Sequence, residues 1–391
     1  MKPADLDGDL VKQIFKDLKE ATGKGYGKSF YNYDRNAKRK LERRQNLFRF
    51  SGAKTYQELA KLNFLLQGDD GEPRPFSEFQ KEALKLNEQY NRHYLQTEYN
   101  SAQRAGAMAE KWAKYEDQKG VYPNLQYKTA KDNRVREDHA NIDDVIKPID
   151  DKFWDKWYPP NGFNCRCYVV QTSKPATKGT PKAEPTPGFE NNVGKDGRTF
   201  NEDHPYFLFP EAEVSKIRKG FEELKLLEPM YEEIFKKGSG NIQSSVWADP
   251  KDIDQNLANS KILVNSLKAK VKIRPHVNSS ILKGKKNPEL EVNGKVADLK
   301  NLTSNNGITN AFKSAKKQMG ENGNYSIVFN LDGIKKIDLN SFKQQLNNKI
   351  SPERGKKIAS IFFTLKEKAL EITRAKILKR DYKDLEEFLK D

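Results

Sequence analysis

The sequence predicts an α+β protein, with a mostly helical N-terminal domain followed by a separate, smaller α/β domain built around a central β-hairpin. Three observations carry this. Helical periodicity dominates the first 120 residues. A stretch rich in Pro, Thr, Lys and Gly (Ser173–Gly188) then breaks the chain. Beyond it, Asn293-Gly294 sits between two alternating runs, the strongest short-range signal for a two-residue hairpin turn. At 391 residues the chain exceeds one ordinary core, so at least two domains are expected.

Element by element, residues 5–22 and 35–48 have helical periodicity with dense charge. Residues 76–118 form the strongest helical run, from Ser77 and Glu78 through Leu84, Tyr90, Leu95 and Ala102 to Trp112. Short extended pieces are expected around Tyr127 and at 167–171. Phe153, Trp154, Trp157 and Tyr158 beside Pro159-Pro160 read as a rigid, self-packed loop module. Segment 173–188 cannot bury enough surface to fold and reads as a linker. A helix near 211–236 and a joint at Gly238-Ser239-Gly240 complete a connecting region, 173–240, between domains at 1–172 and 241–391. In the last of these the pattern gives helix at 250–266, strand at 270–274, hairpin at 288–300, helix at 307–319, strand at 325–331, and helix at 339–348 and 352–390.

Charge is unevenly spread. Residues 241–391 hold 29 Lys and Arg against 17 Asp and Glu, whereas residues 1–240 hold 42 against 38. A basic last third suits a polyanion, and nucleic acid is the obvious one; a Lys-rich soluble surface without a ligand is the plainer alternative. No apolar run is long enough to span a bilayer, and Met1–Leu10 carries acids where a secretory signal would be basic and apolar, so synthesis and use in a cytoplasm are expected.

The two cysteines, Cys165 and Cys167, are one residue apart, too close for a useful disulfide. With His139 they offer three soft ligands. A structural zinc site usually takes four, with cysteines two to four residues apart, so zinc at His139, Cys165 and Cys167 is not expected.

The most informative segment is Asn287 to Lys300. A turn at Asn293-Gly294 pairs Val292 with Lys295, Glu291 with Val296 and Leu290 with Ala297, and sets Glu289 across from Asp298. Leu290, Val292, Ala297 and Leu299 then share an apolar face, and Glu289, Glu291, Asp298 and Lys300 the other. Opposed carboxylates destabilise a hairpin by roughly 0.2–1 kcal/mol, and a divalent cation such as Mg²⁺ between Glu289 and Asp298 removes that cost. Lys300 on the same side could orient or deprotonate an activated water. A charged, solvent-facing hairpin without chemistry is the alternative. His276, in the basic stretch 268–286, is a candidate acid or base for a metal-free ribonuclease.

Two resemblances add to this. The runs Thr129–His139, Pro148–Trp154 and Tyr158–Cys167, with Phe50–Thr55 and Thr97–Ala102, resemble the phage Mu F-like minor head protein family over roughly residues 45–172. That resemblance implies a virion protein at or near the portal, with portal and capsid partners, acting in head morphogenesis. Many members carry a further Cys pair upstream of the histidine, where this chain has Asp132. Pro288-Glu289 with Asp298-Leu299-Lys300 resembles the PD-(D/E)xK nuclease pattern, with Glu in the second position in place of the usual Asp. The run Lys286–Lys300 and on to Ala315-Lys316-Lys317-Gln318 is similar to C-terminal nuclease domains of bacterial polymorphic toxins, including contact-dependent inhibition toxins that cleave tRNA. By that resemblance Glu289 and Asp298 hold metal, Lys300 is catalytic, Gln318 assists substrate placement, the substrate is tRNA, other RNA or DNA in a bacterial cytoplasm, and an immunity protein is a partner. Some phage head proteins are thought to carry barnase- or colicin-like ribonuclease domains, which keeps the metal-free mechanism open. A structural head protein whose basic tail binds DNA without cutting is the third reading.

Overall fold

The computed structural model describes residues 7–33, 35–179, 182–319 and 323–390. Residues 5 and 6 of the first expected helix and Thr180-Pro181 of the expected linker lie outside them. The chain forms two compact units, Met1–Ile217 and Arg218–Asp391.

The first unit is helical, with one small sheet. Helices α1 (Gly8–Tyr26), α2 (Ala37–Phe64), α3 (Phe76–Glu88) and α4 (Leu95–Gln118) carry it, α3 and α4 being joined by a π-helical turn at Gln89–Tyr94. Asp7 caps α1, accepting from the backbone N–H groups of Asp9 and Leu10. α1 packs along α4 at close range because glycines meet the crossing: a Cβ on Gly106 would lie 2.3 Å from the Thr22 carbonyl oxygen, and one on Gly25 1.8 Å from that of Gln103. Lys54 of α2 and Glu98 of α4 form a buried ion pair at 2.6 Å, and the Tyr206 hydroxyl donates to the same carboxylate at 3.0 Å. Burial pushes Glu98 up and Lys54 down.

The sheet of this unit has the order β2-β1-β3, with β1 (Asn124–Lys128), β2 (Ile146–Pro148) and β3 (Tyr168–Thr172) all antiparallel. Short helices α5 (Glu137–Asn141) and α6 (Phe153–Trp157) sit between its strands. The aromatic module packs on itself as expected, and also on α4: Trp154, Trp157 and Tyr158 are buried, Tyr158 stacks edge-on to Trp112, and its hydroxyl donates to the Met108 carbonyl at 2.8 Å. Residues 189–206 belong to this core. Phe200 stacks on Phe50 at 3.8 Å, and Asn46 accepts the Thr199 and Phe200 N–H groups. Among the described residues no helix is long and apolar enough to cross a membrane.

The division between units falls within α7 (Glu211–Leu227). The second unit is a mixed sheet of order β11-β10-β9-β8-β7-β6-β5-β4. Its strands are β4 (Tyr231–Lys237), β5 (Gly240–Ser245), β6 (Lys270–Ile273), β7 (Leu290–Val292), β8 (Lys295–Asn301), β9 (Tyr325–Asn330), β10 (Ile358–Leu365) and β11 (Lys368–Thr373). The pairs β5–β6, β8–β9 and β9–β10 are parallel. Helix α8 (Ile253–Leu267) covers one face and touches strands at both ends of the sheet, so the sheet curls around it. Thr364 of β10 donates to Asn259 of α8 at 2.8 Å. On the other face α9 (Gly307–Met319) and α10 (Leu339–Lys349) bury Ile308, Phe312, Ala315, Phe342 and Leu346 against Ile327, Phe329, Ile361 and Phe363. Two short helices, α11 (Arg374–Leu378) and α12 (Lys383–Phe388), close the chain.

Parts of two expected helices are strands instead, while 211–227 and the short runs 374–378 and 383–388 are helical as expected. Residues 231–237 pair with 240–245, and Gly238, at φ 62°, makes the turn that the sequence suggested as a joint. Pro229 ends the helical run and frees its alternating residues for the sheet. Within the expected helix 352–390, Ile-Ala-Ser-Ile-Phe-Phe-Thr-Leu is rich in β-branched and aromatic residues and joins β9, which the helical spacing of Ile358, Ile361, Phe362 and Leu365 had masked.

Candidate active site

The turn at Asn293-Gly294 forms as expected, with φ of 50° and 80°, both in the left-handed region that a two-residue primed turn requires. Its register is Leu290 to Ala297, Glu291 to Val296 and Val292 to Lys295. Leu290, Val292, Ala297 and Leu299 are buried on the α8 side. Asp298 therefore faces α9, beside Ile327 in the parallel ladder.

On this face the acids are not solvated. Asp298 is fully buried, and neither of its carboxylate oxygens accepts a hydrogen bond from a described residue. The Lys300 ammonium lies 2.6 Å from one of them, an ion contact without hydrogen-bond alignment, and its side chain is 18% exposed. Glu289 stands at the mouth of this pocket, accepting the Leu299 N–H at 3.2 Å. Burial first, and then the Asp298 carboxylate beside it, hold Glu289 well above the usual carboxylate range. Glu291, the remaining acid of that face, is neutralised by Lys272 on β6 at 2.9 Å.

Glu289 opens onto a cleft of about 520 Å³. The loop after β6 supplies Arg274 and His276, the loop before β7 supplies Lys285, Lys286 and Asn287, the start of α8 supplies Asp252 and Asn256, and the end of α9 supplies Ser314, Lys317 and Gln318. The fold thus brings Glu289, His276 and Gln318 to one cleft, with Asp298 and Lys300 behind Glu289 rather than in its wall. His276 is half exposed, its Nδ1 lies 3.4 Å from Asp249, and Asn287 approaches Nε2 at 3.4 Å.

Asp249 and Asp252 were missed in the sequence. In Ala248-Asp249-Pro250-Lys251-Asp252 they read as helix-start acids, and only the curl of the sheet carries that helix start to Glu289. Burial, then Asp249 and Glu289, raise Asp252 above its ordinary value, so three acids share one end of the cleft. Chemically, the site offers hard oxygen donors suited to a cation such as Mg²⁺, one buried carboxylate lacking donors, and a rim of Arg274, Lys285, Lys286 and Lys317 suited to phosphate.

Residues 71–170 match the family described as Phage Mu protein F like protein, so this part of the chain is a Mu F-like head-protein region. Protein F of Escherichia phage Mu, which is named for a role in capsid assembly, is 40% identical over 75 residues, 19% of this chain and 17% of that protein. The Mu-like prophage FluMu F protein of Haemophilus influenzae is 31% identical over 87 residues, 22% of this chain and 20% of that protein. The chain thus spans a fifth or less of these relatives. Among solved structures, a CdiA-CT/CdiI toxin and immunity complex from Burkholderia pseudomallei is similar to 32% of this chain and covers 85% of its own, at 19% identity and a TM-score of 0.24.

Proposed function

We propose that the protein joins a Mu F-like part, acting with portal and capsid proteins in head assembly, to a metal-dependent nuclease in residues 218–391 that cleaves RNA, tRNA foremost. The observation that carries the nuclease is the carboxylate pair. Asp298 is buried without an aligned hydrogen-bond donor, Glu289 stands in front of it, and Glu289 lines a basic cleft. A solvated hairpin would not bury one acid beside another with a single lysine to offset them, because buried charge is costly unless it is fully paired.

Glu289 and Asp298 would hold the cation, with Asp252 the nearest further carboxylate. When bound, a divalent cation polarises a phosphoryl oxygen and activates water. Lys300 balances Asp298 and, from behind Glu289, would add positive potential to the site where the phosphorane carries negative charge. Gln318 and the rim lysines position the phosphodiester chain. Such an activity has to be silenced in the cell that makes it, and an immunity protein covering the cleft is the partner this reading calls for.

A second reading rests on the His276–Asp249 contact, in which the aspartate orients an imidazole that serves as acid or base without metal. Cleavage of tRNA, total RNA and duplex DNA by the full chain, with Mg²⁺, Mn²⁺ or EDTA, separates the two. Metal-dependent cutting, reduced roughly 10²-fold or more in Asp298→Asn and in Lys300→Met, is expected. Cutting that survives EDTA and needs His276 would move the mechanism to the metal-free class. Salt-sensitive binding without cutting would leave a structural tail that binds DNA.

A further inference from the structure

The strongest unassigned cluster lies in the first unit. We propose that His139, Cys165 and Cys167 bind a zinc ion that pins α5 to the segment entering β3.

The spacing that speaks against zinc in the sequence is answered by where the side chains go. Residues 165–167 lead into β3, and the thiols of Cys165 and Cys167 both reach Nδ1 of His139. Arg166 between them turns the other way, to a bidentate pair with Asp132 at 2.5 and 2.6 Å. Both thiols therefore face α5, where His139 is buried.

The distances suit a shared ion. His139 Nδ1 is 3.5 Å from Cys167 Sγ and 3.8 Å from Cys165 Sγ, and the three atoms all lie within 4.8 Å of one another. With Zn–S near 2.3 Å and Zn–N near 2.0–2.1 Å, a tetrahedral site has N-to-S edges of about 3.6 Å. Hydrogen bonding alone accounts for the arrangement poorly. One ring nitrogen has a single in-plane lone pair or proton, so it cannot bond two thiols well at once. A cation between the three atoms satisfies all of them.

The surroundings agree. His139, Cys165 and Cys167 are 2%, 3% and 9% exposed, with Trp157 packed edge-on to the imidazole. Binding sends the two thiol protons to solvent, and a water molecule takes the fourth position.

The test uses the full chain, purified with zinc, desalted and analysed for metal by mass spectrometry. One zinc per chain is expected from this site. Cobalt(II) exchanged into it should give the thiolate-to-cobalt charge-transfer band. These are the only cysteines in the chain, so that band has no other source, and a cation on Glu289 and Asp298 gives none. Cys165→Ser and Cys167→Ser should each lose it. Because either variant could misfold, the wild-type chain is also titrated with a mercurial, and zinc should be released to a chromogenic chelator as the thiols react. Absence of the cobalt band, or zinc retained after both thiols are blocked, would overturn the assignment.

Discussion

At the scale of single residues, the first unit has buried a titratable ring. His204 is 3% exposed, lies against Phe50, Phe163 and Tyr206, and accepts the Tyr206 N–H through Nδ1 at 3.1 Å. Burial, then the Lys54 charge, push it down to about 4. Its folded value lies below the unfolded one, so between the two the unfolded chain binds the extra proton. Stability is therefore lost as pH falls from about 6.5 towards about 4, and the change from about pH 7.5 to about pH 5 amounts to roughly 2 kcal/mol. Urea unfolding at the two pH values, with His204→Gln beside the wild type, checks this. The variant should lack that share of the acid sensitivity, and an equal loss in both chains would refute it. Glu289 is the acid counterpart, held protonated over a wider range by burial first and then by the Asp298 carboxylate beside it. The sequence placed these two carboxylates opposite each other but could not show that Asp298 is buried, since depth depends on α9 lying over that face.

At the scale of elements, local chemistry and close approach divide the work. The hairpin from 290 to 301 follows from its own residues: Asn-Gly adopts the left-handed turn and alternation fixes the register. The crossing of α1 and α4 depends on two glycines far apart in sequence. Gly106→Ala puts a methyl 2.3 Å from the Thr22 carbonyl oxygen, so the helices must separate. A loss of about 1–3 kcal/mol in chemical denaturation is expected. Gly120→Ala, where nothing lies within 4 Å, is the control and should be near neutral. Equal stability of both variants would show that the crossing tolerates more than its spacing implies. The β10–β11 hairpin was not legible, because Ile358 to Leu365 gains its strand character from pairing with β9.

At the scale of the whole molecule, charge and topology follow different rules. The basic excess in residues 241–391 sets the long-range field, and the cleft gathers Arg274, Lys285, Lys286 and Lys317 around Asp249, Asp252 and Glu289. RNA binding by the full chain in EDTA should therefore weaken steeply with salt. For about six phosphates engaged, affinity falls roughly 10³-fold between about 50 and about 200 mM. A filter-binding titration across that range reads the slope, and a flat response would remove the basic rim from the proposal.

Composition, turn chemistry and alternation were enough to determine an α+β chain with a helical first part, the hairpin register, and Glu289 facing Asp298. Those features depend on neighbours within a few residues, which a sequence displays directly. Only tertiary structure decided that residues 189–206 fill the first core, that Asp252 shares a cleft with Glu289, and that His139 meets both cysteines. Each of these joins segments tens of residues apart, and such contacts are set by how helices cover sheets rather than by any local pattern.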